Sequence, residues 1–199
     1  PQWIKNTVLA MRKTCGNAAI SVKIRAGFAS AEELPHIAQA LNDCQPDLIT
    51  MHYRTVAELY KPIDEGLQRL QQARELLKNI TLFGSGDIFS PEDALNMKKI
   101  CQVDGIVAAR GLLKNPALLK NMQETCKNEK LTELTDKDKL EFLRDIAIYD
   151  EKENNPNNGF LLKMTAALIG KNNQIFTELM KKKKIKESRI FLEELINHA

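Results

Sequence analysis

Ala19-Ile20-Ser21-Val22-Lys23-Ile24, running on into Arg25-Ala26-Gly27, is the stretch on which the fold turns. It is short, rich in branched residues and closed by a glycine, the pattern of a strand in a buried parallel sheet. Three further runs repeat it: Asp47-Leu48-Ile49-Thr50-Met51, Ile80-Thr81-Leu82-Phe83 and Gly105-Ile106-Val107-Ala108. Between them the apolar spacing becomes helical, at Leu34, Ile37, Ala38 and Leu41, and again at Leu67, Leu70 and Leu77. Ser90-Pro91-Glu92-Asp93 predicts a helix start, with a capping serine, a proline at the first helical position and acids in the first turn. A repeat of roughly thirty residues is that of a βα unit. Four in succession predict a parallel sheet wound in one direction. Val22, Ile49, Leu82 and Val107 lie on these strands, and the pattern leaves open which of them point inward.

After Cys126 the strand signal stops. A polar stretch leads to Leu140, Leu143, Ile146 and Ala147 at helical spacing, and residues 154–159, Asn-Asn-Pro-Asn-Asn-Gly, form a break. Helical patterns follow over 161–169, 175–182 and 189–197. The chain is therefore expected to hold an α/β region over 1–125 and a small all-α bundle over 126–199. It opens Pro-Gln-Trp-Ile-Lys without a Met, which reads as a fragment. No apolar run approaches the ~20 residues of a membrane helix, and no basic-then-apolar leader is seen, so the cytoplasm is the expected compartment.

The charge balance, 29 basic against 26 acidic residues, excludes a surface that grips nucleic acid all over. It leaves room for a local patch at Lys181-Lys182-Lys183-Lys184. Cys15, Cys44, Cys101 and Cys126 stand far apart with no Cys-x-x-Cys pair, so neither a zinc site nor a disulfide framework is expected.

Parallel α/β folds place their chemistry at the carboxyl ends of strands. Those ends read Lys23-Ile24-Arg25-Ala26-Gly27, His52-Tyr53-Arg54-Thr55, Gly84-Ser85-Gly86-Asp87 and Ala109-Arg110-Gly111. Taken singly, each is a solvated cation, a partly buried histidine or a tight turn. Together they suit an anion beside a conjugated ring. Glycines let backbone N–H groups approach a phosphate. Lys23 would face a group that becomes negative, an attraction of roughly 4 kcal/mol at ~4 Å and an effective dielectric near 20, before desolvation.

These segments, with Tyr60 and the closing Asn115-Pro116, resemble the tRNA-dihydrouridine synthases, over about residues 1 to 120. The resemblance implies a flavin-binding (β/α)8 TIM barrel, of which this chain carries strands five to eight, followed by a helical tRNA-binding domain. It implies FMN, with NADPH as reductant, held by Lys23, His52, Ser85, Gly86, Asp87, Ala109 and Arg110. It implies a cysteine acid upstream of this chain. Contacts to tRNA are expected from Arg25, Arg54, Lys163, Lys171, Lys181, Lys182, Lys183 and Lys184, with no metal, and a monomer when complete. Two positions depart from the family: Ser85 stands where Asn is usual, and Ala109 where Gly is usual. Alanine is tolerated there only if the backbone avoids positive φ. Two rival readings are another FMN-binding barrel oxidoreductase acting on a small molecule, and a non-catalytic RNA-binding relative.

Overall fold

A computed structural model describes residues 1–155 and 157–198, and the chain divides into two compact units, Pro1–Ala108 and Ala109–Ala199. In the first unit the strands β1 (Ser21–Arg25), β2 (Leu48–His52), β3 (Thr81–Ser85) and β4 (Gly105–Val107) are parallel and lie in sequence order, β1-β2-β3-β4. They alternate with the helices α1 (Gln2–Cys15), α2 (Leu34–Cys44), α3 (Gly66–Leu76) and α4 (Pro91–Cys101). An order without reversal, joined by right-handed crossovers, keeps the helices on one face of the sheet. A doubly wound sheet would reverse and cover both.

Register and burial identify that face. Val22, Ile49 and Leu82 align across the sheet, as do Ile24, Met51, Gly84 and Ile106. Ile49, Met51 and Leu82 are fully buried, and so are Leu34, Leu41 and Leu70 on the helices. Gly84 lies close against the helical layer, since a Cβ there would come within 2.8 Å of the Met97 sulfur. The other face carries Lys23, Thr50, Phe83 and Gly105 in one row and Arg25, His52, Ser85 and Val107 in the next. Side chains alternate along a strand, so this assignment holds for all four. Of the four apolar strand residues whose direction was open, Val22, Ile49 and Leu82 face the helices and Val107 faces the other side. The sequence pattern of strands buried on both faces is thus met on one face only.

Local chemistry sets the ends. Ser90 accepts from the Asp93 amide while the Asp93 carboxylate accepts from the Ser90 amide, a complete capping box over the Pro91 start of α4. The Asp47 carboxylate accepts from the Ile20 amide and from Arg12, which pins β1 and α1 to the entry of β2. Helix α1 carries no clear signal in the sequence, because Trp3, Leu9 and Met11 are exposed and blur its buried stripe.

The second unit holds α5 (Arg110–Lys114), α6 (Leu118–Lys127), α7 (Asp136–Lys152), α8 (Gly159–Leu168), α9 (Gln174–Lys181) and α10 (Ile185–Asn197). Its apolar centre is built by Leu140, Leu143, Ala147, Leu161, Met164, Leu179 and Leu192. The division falls between Ala108 and Ala109, earlier than the 125/126 boundary expected from sequence. The reason is Leu113, which packs α5 against this helical centre. Among the described residues no helix is long and apolar enough to cross a membrane, and no three His, Cys, Asp or Glu side chains gather as a metal site would require.

Candidate functional site

The open face of the first unit presents Lys23 and His52 near the carboxyl ends of β1 and β2. Lys23 is exposed, and its ammonium makes no hydrogen bond or ion pair with the described residues. His52 is half-buried, and its Nδ1 accepts from the Arg54 backbone N–H at 3.2 Å. That bond places the ring proton on Nε2 in the neutral form. Burial, then the charges of Arg25, Arg54 and Lys23, push its pKa down to about 4. At neutral pH His52 is therefore an uncharged donor through Nε2–H.

Residues 53–65, after β2, are held by three arginines. Arg25 donates to the Thr55 carbonyl at 2.8 Å and the Leu59 carbonyl at 3.3 Å, with its guanidinium 5.8 Å from the Tyr60 ring centre. Arg69 forks onto Glu58 at 2.8 and 3.0 Å, and Glu58 in turn accepts from the Thr55 amide. This pairing holds the Glu58 carboxyl down at about 2. Arg54 donates through Nη2 to Asp87 at 2.5 Å and through Nε to the Lys61 carbonyl at 2.7 Å, and it lies 5.0 Å from the Tyr53 ring centre. Arg54, expected from sequence to contact RNA, has a side chain that is 1% exposed and a charge paired with Asp87. Arg25 remains half-exposed, although its guanidinium already serves the loop.

The loop after β3 is shaped by Tyr53. Ser85 is buried, and its carbonyl accepts from the Tyr53 amide at 3.1 Å. Gly86 has φ +146°, and a Cβ there would overlap the Tyr53 ring. The glycine is thus demanded by an aromatic neighbour as well as by its backbone angle. Asp87 follows at φ 46°, in the left-handed region, where its carboxylate meets Arg54. Burial, and next the Asp87 charge, push the Tyr53 phenol up to about 12, so it stays neutral. Tyr53, Glu58, Lys61 and Arg69 escape sequence reasoning, because nothing in local spacing announces which carbonyl or ring an arginine will find.

In the second unit, Ala109 has φ −129°, so alanine is accommodated where the family usually has glycine. Arg110 opens α5 and is half-buried. Lys163 on α8, Lys171 before α9, and Lys181, Lys183 and Lys184 are exposed, whereas Lys182 is half-buried over Phe191 at 5.1 Å. Lys181 pairs with Glu178 at 2.6 Å. The four-lysine run therefore forms the joint between α9 and α10.

The amino-acid sequence has known relatives. The profile of the Dihydrouridine synthase (Dus) family matches residues 1–193. An NAD(P)+ tRNA-dihydrouridine(20a/20b) synthase of Schizosaccharomyces pombe is 31% identical over 127 residues, 63% of this chain and 38% of the relative. A human protein described as tRNA-dihydrouridine(47) synthase-like is 31% identical over 131 residues, 65% of this chain and 19% of the relative. A tRNA-dihydrouridine(16) synthase of Aquipseudomonas alcaligenes is 28% identical over 125 residues, 61% of this chain and 38% of the relative. The chain thus spans 19% to 38% of the length of these relatives. A sequentially ordered parallel sheet, a Lys-Ile-Arg strand and a His-x-Arg strand sharing one face, and a match over nearly the whole chain agree: this chain belongs to the dihydrouridine synthase family.

Proposed function

We propose that this chain forms part of an FMN-dependent tRNA-dihydrouridine synthase, which reduces uridine in tRNA to 5,6-dihydrouridine with NADPH as reductant. Strands β1 to β4 are read as strands five to eight of a (β/α)8 barrel whose bore is the face carrying Lys23 and His52. The helical region beyond residue 125 is read as the tRNA-binding domain, with Arg110 and the α5 segment following the barrel's last strand in sequence. The observation that carries this reading is the one-sided helical cover of a sequentially ordered sheet, with a free ammonium and a neutral imidazole donor on the uncovered side.

The residues present suit a phosphorylated, electron-accepting ring. Bound FMN, recharged by NADPH, supplies hydride chemistry toward C6 of a uracil that has left its base stack. Lys23 offers an unpaired positive charge to a ring that gains negative charge. His52 offers Nε2–H to a ring acceptor and, being neutral, adds no second charge. Backbone N–H groups around Ser85, Gly86 and Asp87 would hold the phosphate. Cys44 and Cys101 are buried, and burial pushes the Cys101 thiol up to about 11, with its Sγ–H donated to the Leu67 carbonyl at 3.3 Å. Neither stands on the uncovered face, which fits a protonating cysteine contributed from outside this chain.

The test uses this chain together with the other four barrel strands, supplied in one polypeptide or in trans. Such a preparation, given FMN and NADPH, forms dihydrouridine in unmodified tRNA. Lys23→Met lowers turnover by about a hundredfold or more, within the range seen for loss of one electrostatic stabiliser, and leaves tRNA affinity within about twofold. Equal losses in turnover and affinity would remove Lys23 from the flavin site. Absence of any dihydrouridine from a folded, flavin-loaded preparation would remove the reading itself.

A further inference from the structure

Arg54 is the most deeply buried arginine among the described residues, and like Arg69 it keeps an orphaned nitrogen. Its side chain is 1% exposed, yet Nη1 is buried with no hydrogen-bond partner among the described residues. Stability alone is a poor reason for such a residue. Removing a guanidinium from water is costly, and apolar side chains in place of a whole buried ion pair are often as good or better. An unmet buried donor adds a further penalty. What Arg54 provides is a connection. Nε holds the Lys61 carbonyl in the loop after β2, and Nη2 holds Asp87 in the loop after β3. Its own backbone N–H holds His52 Nδ1. One residue thus touches both loops and the imidazole. Arg69 lacks this reach: its partners are Glu58, Glu65 and the Tyr53 carbonyl, all in or beside the loop after β2.

We propose that Arg54 is the positioning residue of this site, tying the loop after β2 to the loop after β3 and thereby fixing the stance and tautomer of His52. The catalytic meaning of this role rests on the flavin site proposed above. The link between Arg54, Asp87 and the imidazole is a property of this chain. The fork geometry of arginine is essential, because a lysine ammonium cannot satisfy the Lys61 carbonyl and Asp87 in the same arrangement.

The test reads the imidazole directly, by nitrogen-15 NMR of the 199-residue chain. In the parent chain His52 is the neutral Nε2–H tautomer and titrates at about 4, facing Arg25, Arg54, Lys23 and Asp87. In Arg54→Met the tautomers mix, and the titration moves up toward 6.5. The Lys61 amide, which donates to the Glu58 carbonyl, then exchanges its hydrogen about tenfold faster, because the loop opens more often. Arg54→Lys restores the titration in part, through its charge, and leaves the tautomers mixed. Should Arg54→Met fail to fold, Asp87→Gly removes the acceptor from the other loop at a positive φ that glycine tolerates, and is expected to mix the tautomers. A folded Arg54→Met or Asp87→Gly chain with parental tautomer and titration would overturn the proposal. These readouts need neither flavin nor tRNA, so an inactive enzyme would count against the proposed function and leave the positioning role of Arg54 intact.

Discussion

The loop after β2 and the α9–α10 joint are both crowded with cations, and the two use them in opposite ways. In the loop, Arg25, Arg54 and Arg69 are directed inward onto carbonyls and carboxylates, and the loop is their product. At the joint, Lys181, Lys183 and Lys184 stand exposed, and the polar contact of the Lys181 ammonium is the surface pair with Glu178. The difference follows from chemistry as well as position. A guanidinium is weakly hydrated and forks onto planar acceptors, whereas an ammonium keeps its water. Local charge density therefore says little about where a charged ligand would sit. Burial and partners decide whether a cation builds the protein or remains available.

The largest expected effect breaks the frame beneath the arginines. Gly86→Ala would push a methyl into the Tyr53 ring and hold an L-residue at φ +146°, costing about 3 kcal/mol of unfolding free energy. Urea denaturation measures it. A variant as stable as the parent would mean that Tyr53 does not dictate the glycine. Next comes Arg54→Met, expected to cost about 2 kcal/mol, less than a fully buried pair because Asp87 keeps partial access to water. The same denaturation experiment reads it, and a neutral result would place Arg54 with the lysines of the joint.

Acid should act on the loop through two groups. The folded pKa of His52 is depressed from 6.5 to about 4, and that of Glu58 from 4.5 to about 2. In each case the unfolded chain takes up protons first as pH falls, so stability declines. His52 accounts for loss between pH 6.5 and about 4, and Glu58 for loss between 4.5 and about 2. Stability measured against pH should lose the upper limb in His52→Gln and the lower one in Glu58→Gln. A curve unaltered by either substitution would deny the loop its electrostatic role.

The smallest effect on stability is expected at the joint. Replacing Lys181, Lys182, Lys183 and Lys184 by glutamine should change unfolding free energy by about 0.5 kcal/mol or less. The same change should flatten the salt dependence of tRNA binding, because each phosphate contact releases counterions. An unaltered slope would make the run an ordinary solvated joint, and a large loss of stability would erase its contrast with the loop.

The amino-acid sequence by itself determined the features that depend on near neighbours. Branched runs at Val22, Ile49, Leu82 and Val107 marked four strands, and Ser90-Pro91 with Asp93 marked a helix start. These signals act within a few residues, where backbone sterics and a single hydrogen bond decide the outcome. The tertiary structure decided everything that needed a distant partner. Register, acting across the sheet, assigned Lys23 and His52 to the uncovered face and Val22, Ile49 and Leu82 to the helices. Leu113 drew α5 into the second unit through its packing. Arg25 and Arg54 occupy alike places in the sequence, each two residues beyond a polar strand-end side chain, yet Arg54 is buried on Asp87 and Arg25 is half-exposed on Thr55. A long cation has no periodic pattern and many rotamers, so its fate is settled only when folding brings an acceptor within reach and removes the competing water.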